Sequence, residues 1–447
     1  MTERPPAAAP RLLPVLYTGV FMAALDTAIV GPVIPALRMA FGVDNREVGL
    51  VMVVFILFSL TSTALMANLS DRHGRRPVYL ASVALFAVGS LLIAIAPAFW
   101  VILLGRALQG IGGGGIVPSA AAVIGDTVPA EQQGKALGMI GMWYGLAFFV
   151  GPPLAAAVLV VASWQWIFLL NLPIAAAVLF LGARALPRRE RRHELPPLDL
   201  AGIASVFVLL ALLVLAITGV ADAFTGLAMG PYFLAASAVA LALAIRVERR
   251  AASPMIPLSL FANRQLALTY FLAAGGGFGM GSIVFLTSLV SLAHGVAHEK
   301  AGFMLVPLVL GSMAGSMGSG RLLNRVGSRT LLLAGFALMA AGYGLTAATG
   351  FGLMGFLAST LPAGLGLGII VGGALRAIAL KEAPDTLRAT AQGLVNVFNG
   401  IGTLLAAAAI GAIADARGGT ATGFATAYVA VALVLAVFLV AAGRLRR

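Results

Sequence analysis

The chain has 447 residues, of which 60% are hydrophobic and 10% charged, with a mean hydropathy of +1.02 and a formal net charge of +13. A soluble domain carries roughly 25% charge, so the composition excludes an ordinary globular protein and implies an all-α polytopic membrane protein. With no cysteine in the chain, disulfides and thiolate metal sites are excluded as well.

In chain order, the apolar runs predict fourteen helices, over 12–36, 48–68, 78–97, 99–125, 134–160, 165–185, 200–220, 229–247, 266–291, 301–320, 329–348, 351–379, 389–413 and 422–443. Each is about as long as a bilayer core requires. With the N-terminus inside, 24 of the 29 Lys and Arg fall in or beside cytoplasmic segments. Arg38, Arg46, Lys300 and Arg417 fall outside, and Arg106 is the one basic residue placed well within a span. That asymmetry is the positive-inside pattern, so the basicity reports topology and not a nucleic-acid partner. An even number of spans keeps Arg188–Arg192 and Arg444–Arg447 on the same, cytoplasmic side. Met1 to Arg11 shows no cleavable signal pattern, and the first span is expected to act as its own anchor. Arginine outnumbers lysine 26 to 3, which suggests GC-rich coding DNA and a bacterial plasma membrane.

A basic loop occurs twice, 253 residues apart: ANLSDRHGRR over Ala67–Arg76 and GRLLNRVGSR over Gly320–Arg329. The copies share a small first residue, Leu69/Leu322, Arg72/Arg325, Gly74/Gly327 and Arg76/Arg329. Pro129 and Pro384, Gly138 and Gly393, and Gly145 and Gly400 repeat at an offset of 255. Internal repeats in a membrane chain mark transporters whose halves rock around a central site. The basic, proline-containing loops near 188–197 and 246–257 then divide the chain into a first six-helix bundle (1–187), two inserted helices (188–250) and a second six-helix bundle (251–447). The inserted spans have uncharged cores and are expected to face lipid or brace the halves.

The loop at Ala67–Arg76 resembles the signature loop of the major facilitator superfamily. Leu25-Asp26-Thr27 in the first span, and Trp164 to Pro173 at the opening of the sixth, resemble the fourteen-span drug:proton antiporter branch. Arg106 to Gly113 resembles the family's fourth-helix motif, and Gly145 to Pro152 its fifth-helix antiporter motif. Four positions depart from the pattern. Ala67 replaces the usual first glycine, Ala155 and Ala156 stand where a glycine pair is common, and Asn324 replaces the acid of the second loop. The resemblance implies a major facilitator fold of two six-helix bundles plus two extra helices.

Asp26 lies mid-helix, where an ionised carboxylate costs several kcal/mol; a group that must hold either a proton or a cation needs that property. The plainer alternative is a protonated Asp26 bonded to a backbone carbonyl or to Thr27. Arg106, about 10 Å into the fourth span, either biases protonation of Asp26 through space or braces helix packing by bonding carbonyls. Asp71, Arg72, Arg75 and Arg76, with Asp126 as partner, are candidates for a charge latch holding the outward-facing state, Asp71 in the field of a helix N-terminus. The alternative is a solvated loop that only sets topology, the role expected of Arg325 and Arg329. Gly145, Gly151 and Pro152 are the candidate hinge, since Pro152-Pro153 removes two backbone donors and is expected to kink the helix. The substrate cavity is expected from Phe21, Met22, Phe55, Phe58, Gln109, Trp143, Tyr144, Asn171, Phe278, Asn396, Phe398 and Asn399, aromatics stacking on organic cations and amides orienting a ligand.

The four histidines (73, 193, 294, 298) lie in predicted loops, and no zinc spacing, phosphate loop or nucleophile–base set occurs, so no enzyme, metal or cofactor is expected. The leading reading is a monomeric, proton-coupled antiporter in the bacterial inner membrane, both termini cytoplasmic, exporting hydrophobic or cationic small molecules by alternating access. Export of a lipid or secondary metabolite, a transport-inactive sensor or scaffold, and proton-driven uptake stay open.

Overall fold

The computed structural model describes residues 12–43, 45–187, 199–218, 229–251, 254, 256–296, 302–348 and 352–446. Every regular element in them is helical: α1 (Leu12–Phe41), α2 (Asn45–His73), α3 (Arg75–Ala94), α4 (Phe99–Thr127), α5 (Ala130–Val161), α6 (Gln165–Ala185), α7 (Leu200–Thr218) and α8 (Gly230–Arg250) come first. They are followed by α9 (Arg264–His294), α10 (Val306–Ala347), α11 (Gly352–Glu382), α12 (Arg388–Asp415) and α13 (Ala421–Ala442). Twelve helices among the described residues are long and apolar enough to cross a membrane, and a shorter apolar stretch, Ala201–Ile217, lies in α7.

Two features separate this count from the fourteen spans expected. One is α7, where the described apolar stretch is Ala201–Ile217 and residues 219 and 220 of the expected span lie outside the described residues. The other is that two expected spans run together as Gly302–Ala347, 46 residues. At 1.5 Å per residue that is about 70 Å, more than twice a bilayer core. The run is broken at Gly327, whose backbone (φ 78°, ψ 160°) is not helical. Gly74, its counterpart in the first repeat, has φ 96° and ψ 158°. A Cβ is disfavoured there, so glycine is what lets the chain turn between helices at a single residue. The basic loops expected from the sequence are accordingly not loops: α2 stays helical to His73 and α3 starts at Arg75. Arg and Lys are good helix formers, and only the glycine interrupts.

The chain divides into two compact units: 1–127, 150–262 and 383–397 in the first, and 128–149, 263–382 and 398–447 in the second. The start of α12 therefore belongs with the N-terminal helices and the start of α5 with the C-terminal ones. In the first unit α4 is the core, buried along nearly its whole length with α2 and α3 packed on it. Its glycines permit this; a Cβ on Gly112 would lie 2.6 Å from the Phe86 backbone nitrogen. Among the inserted helices, α7 packs on α2, with the Phe207 ring 5.8 Å from Phe58, and α8 packs on α7. In the second unit α10 packs along α11 and α13. Helix α5 continues through Pro152 and Pro153 to Val161, so the proline pair does not end it. Arg188 to Arg192, His193, His298 and Lys300 fall outside the described residues.

Candidate functional site

Asp26 of α1, Arg106 and Gln109 of α4, Ser90 of α3 and Asn171 of α6 are all completely buried. Each is a polar residue in an apolar run, and each finds the others. Arg106 donates from Nη1 to Asp26 Oδ2 at 2.7 Å and to Gln109 Oε1 at 2.7 Å. Its Nε donates to the Val51 carbonyl at 3.0 Å, and its guanidinium lies 4.2 Å from the Phe55 ring centre. The other oxygen, Asp26 Oδ1, accepts from Gln109 Nε2 and Asn171 Nδ2, both at 2.9 Å. Ser90 Oγ accepts from the same two amides at 2.8 and 3.2 Å. Buried charges are tolerated only when paired and hydrogen-bonded. Asp26 meets both conditions through both oxygens and Arg106 through Nε and Nη1, while Arg106 Nη2 has no hydrogen-bond partner among the described residues.

The two sequence readings of Arg106 merge in this cluster, since it pairs directly with Asp26 and also bonds a carbonyl. Thr27, the alternative partner of Asp26, bonds the Ala23 carbonyl instead. Gln109 and Asn171, expected in a substrate cavity, are sealed into the Asp26 cluster. Phe55 lies under Arg106. Arg106 is not alone as a buried base: Arg75 and Arg376 are 5% and 7% exposed. A long aliphatic stem lets an arginine near a helix end bury most of its length, which position in sequence does not reveal.

A second cluster of the first unit lies at the Gly74 break. Arg75 is ion-paired with Asp71, one turn back, and donates from Nε to Asp126 Oδ2 at 3.0 Å. Asp71 also receives the start of α12: Ala389 N donates to Oδ1 at 3.0 Å, and Thr390 N and Oγ1 donate to Oδ2, each at 2.7 Å. This is a carboxylate at a helix N-terminus, satisfying amides that have no partner within the helix. Arg388 bridges Asp126 at 3.2 Å and Asp385 at 2.8 Å. Arg76 donates to the Ala183 carbonyl, and Arg72 is half-buried. All the expected latch residues thus lie near one helix junction, with Arg388, Asp385 and Thr390 added. The signal for these three was Pro384-Asp385, a helix-start pattern.

The remaining cavity candidates are divided between the units. Phe21, Phe58 and Asn396 are half-buried and Met22 is fully buried in the first. In the second, Tyr144 stacks on Phe148 and Phe398 on Tyr270, both with centroids 5.7 Å apart. Phe278 is buried, Trp143 half-buried, and Asn399 donates to the Ala273 carbonyl at 3.5 Å. Of the hinge candidates, a Cβ on Gly151 would lie 2.6 Å from Ala28 Cβ of α1, so α5 and α1 touch closely there. A Cβ on Gly145 would lie 3.2 Å from Met313. Among the described residues, no group of three or more His, Cys, Asp or Glu could hold a metal ion.

Solved structures of the same fold include the human organic anion transporter MFSD10 (TETRAN), with TM-score 0.67 and 18% identity over 98% of this chain and 100% of that one. The proton:xylose symporter XylE gives TM-score 0.71 and 14% identity over 96% and 94% of the two chains. In sequence, the chain is 31% identical to the uncharacterized MFS-type transporter YfiU of Bacillus subtilis over 88% of this chain and 77% of that protein. It is 29% identical to the multidrug transporter protein MdtP of the same organism over 90% and 75%. It is 28% identical to the putative multidrug resistance protein MdtD of Escherichia coli over 98% and 94%. These relatives are transporters, not enzymes. The model of the Major Facilitator Superfamily matches residues 16–407, and the chain, a multi-pass membrane protein, belongs to that family.

Proposed function

We propose that the protein is a proton-coupled antiporter that exports hydrophobic or cationic small molecules by alternating access, with Asp26 as the proton site. The observation that carries this reading is a carboxylate completely buried within a membrane span and held by an arginine. Protonating Asp26 would leave Arg106 as a buried charge with its carboxylate neutralised, and breaking such a pair costs about 3–5 kcal/mol. Arg106 keeps the Val51 carbonyl, Gln109 and the Phe55 ring as fallback partners, which lowers that cost. Proton binding therefore converts directly into looser packing of α1 on α4. One proton exchanged for one monovalent cation is electroneutral, so a unit of pH gradient supplies about 1.4 kcal/mol, or a tenfold substrate gradient.

The latch residues Asp71, Arg75, Asp126 and Arg388 hold one end of this cycle, the outward-facing state. The names of MdtP and MdtD support a multidrug substrate class. On this reading the protein lies in a bacterial inner membrane as a monomer with both termini cytoplasmic, and it uses no cofactor beyond protons. Fourteen spans follow if the Gly327 break separates two of them and α7 counts as another, in the arrangement six (1–187), two (188–250), six (251–447). A second reading, export of a neutral lipid or secondary metabolite, draws on the saturation of Asp26: Arg106 already neutralises it, so a cationic substrate must displace Arg106 to reach it.

The test is ethidium transport in proteoliposomes under an imposed pH gradient, comparing native protein with Asp26→Asn. Gradient-dependent movement that the substitution abolishes is the expected result. Ethidium moved equally well by the Asp26→Asn protein removes Asp26 from the mechanism. A native protein that moves labelled lipid but no dye favours the second reading.

A further inference from the structure

The two loop copies differ in what they do with their charges. In the first, Asp71, Arg75, Asp126 and Arg388 form a chain of ion pairs. In the second unit, at the Gly327 break, Arg321 and Arg325 sit one turn apart on α10, opposite Lys135 on α5. None of the three has an ion-pair partner among the described residues. They line an open groove of about 480 Å³ together with Glu131, Leu322 and Asn324. The groove is built, not incidental. Asn324 Nδ2 donates to the Glu131 carbonyl at 2.5 Å, and a Cβ on Gly320 would lie 2.7 Å from the Gly134 carbonyl, so α5 and α10 are clamped beneath it. Leu322 and Val326, on the same turns of α10, are 42% and 43% exposed.

We infer that this groove binds the headgroup of an anionic membrane phospholipid. Three cations against one carboxylate leave a net charge of +2, which complements a phosphodiester. The position fits a lipid and not a soluble anion. The groove sits where an apolar span ends at its glycine break, the depth at which headgroups lie, and exposed Leu322 and Val326 offer apolar contact to the acyl chains beside the arginines. Basic pockets between helices at this level are suited to such headgroups. Glu131, exposed at the edge, is an acceptor for headgroup hydroxyls, which phosphatidylglycerol has and phosphatidylcholine lacks.

The test is native mass spectrometry of the full-length protein in detergent, titrated with dioleoylphosphatidylglycerol or dioleoylphosphatidylcholine, with thermal stability read in parallel. Each basic residue near the surface contributes about 1 kcal/mol, or fivefold, so Arg321→Gln with Arg325→Gln should weaken phosphatidylglycerol binding about 25-fold. Arg417→Gln, an exposed arginine of the same unit outside the groove, should leave it unchanged, and Arg321→Lys with Arg325→Lys should largely restore it. Retention of native binding by the double glutamine variant, equal binding of phosphatidylcholine, or an equal loss in Arg417→Gln overturns the proposal. Stabilisation by inorganic phosphate matching that by lipid assigns the groove to a soluble anion and overturns it too. A double variant that fails to fold shifts the decision to the lysine pair and to the lipid comparison on native protein.

Discussion

Removing either member of the Asp26–Arg106 pair should damage the protein far more than removing both. Arg106→Met abolishes the 2.7 Å ion pair, the bond to the Val51 carbonyl and the contact with Phe55, and leaves a completely buried carboxylate held only by Gln109 and Asn171. Asp26→Asn leaves a completely buried guanidinium facing an amide. Each single change should cost about 3–5 kcal/mol, the penalty of an uncompensated buried charge. In the double variant neither charge remains, and the new amide at position 26 can donate to Gln109 Oε1, which Arg106 formerly satisfied. Its loss should therefore stay at about 2 kcal/mol instead of the roughly 6–10 kcal/mol that additivity demands. Unfolding by sodium dodecyl sulfate in mixed micelles, followed by tryptophan fluorescence, would measure all four corners of the cycle. Additive losses would show that the two groups are not energetically coupled and would remove the physical basis for proton-driven loosening of α1 from α4.

Two further predictions concern the repeated break. Gly74→Ala and Gly327→Ala each force a side chain into positive φ and should destabilise by about 1–2 kcal/mol, whereas Gly344→Ala, whose added Cβ would meet only Ala432 at an ordinary 3.6 Å, should be neutral or stabilising; thermal scans of the purified variants decide this. Asp71→Asn and Asn324→Asp should both lower the melting temperature although they exchange the same two residue types. The first turns an acceptor of two α12 amides into a partial donor, and the second removes the donor to the Glu131 carbonyl. Each leaves a polar group facing its own kind, worth about 1–3 kcal/mol, and a rise in stability for either would contradict the assigned polarity.

The helix pattern, the repeat and the prominence of Asp26, Arg106 and Asp71, which the fold places in two buried polar clusters, were legible because each stands out against an apolar background: a charge in a span, or a motif that recurs. What escaped was partnership. Ser90 is an unremarked hydroxyl in an apolar run until the fold brings it against Gln109 and Asn171. The same fold pulled those two amides away from their expected cavity, since a buried carboxylate attracts every donor within reach. Phe58 reads as a cavity aromatic because sequence gives no direction to a side chain on a helix buried on several faces, and it lies against Phe207 of an inserted helix. The basic motifs read as loops because charge usually marks a helix end, yet one glycine is all the interruption the backbone makes. The boundary of α12 with the N-terminal helices was invisible for a different reason: Asp71 meets Ala389 and Thr390 across more than three hundred residues, and no local pattern encodes such a contact.

The two charge clusters of the first unit share one element. Helix α4 carries Arg106 about 10 Å in from one end and Asp126 near the other, twenty residues apart, or about 30 Å along a helix. It is buried along nearly its whole length, and its glycines bring the α2 and α3 backbones too close for it to yield locally. A close-packed rod of that kind moves as a body or not at all, because packed cores are not continuously deformable. On the antiport reading, a change in the partner of Arg106 alters the seat of the same helix that presents Asp126 to Arg75 and Arg388. Proton site and latch would then be coupled by the close packing around one helix, which runs on through Pro118, with no chain of intermediate side chains required. Gly110 and Gly112 to Gly115 lie between the two charges, so the stretch that joins them has only to stay packed while Arg106 and Asp126 exchange partners on either side of it.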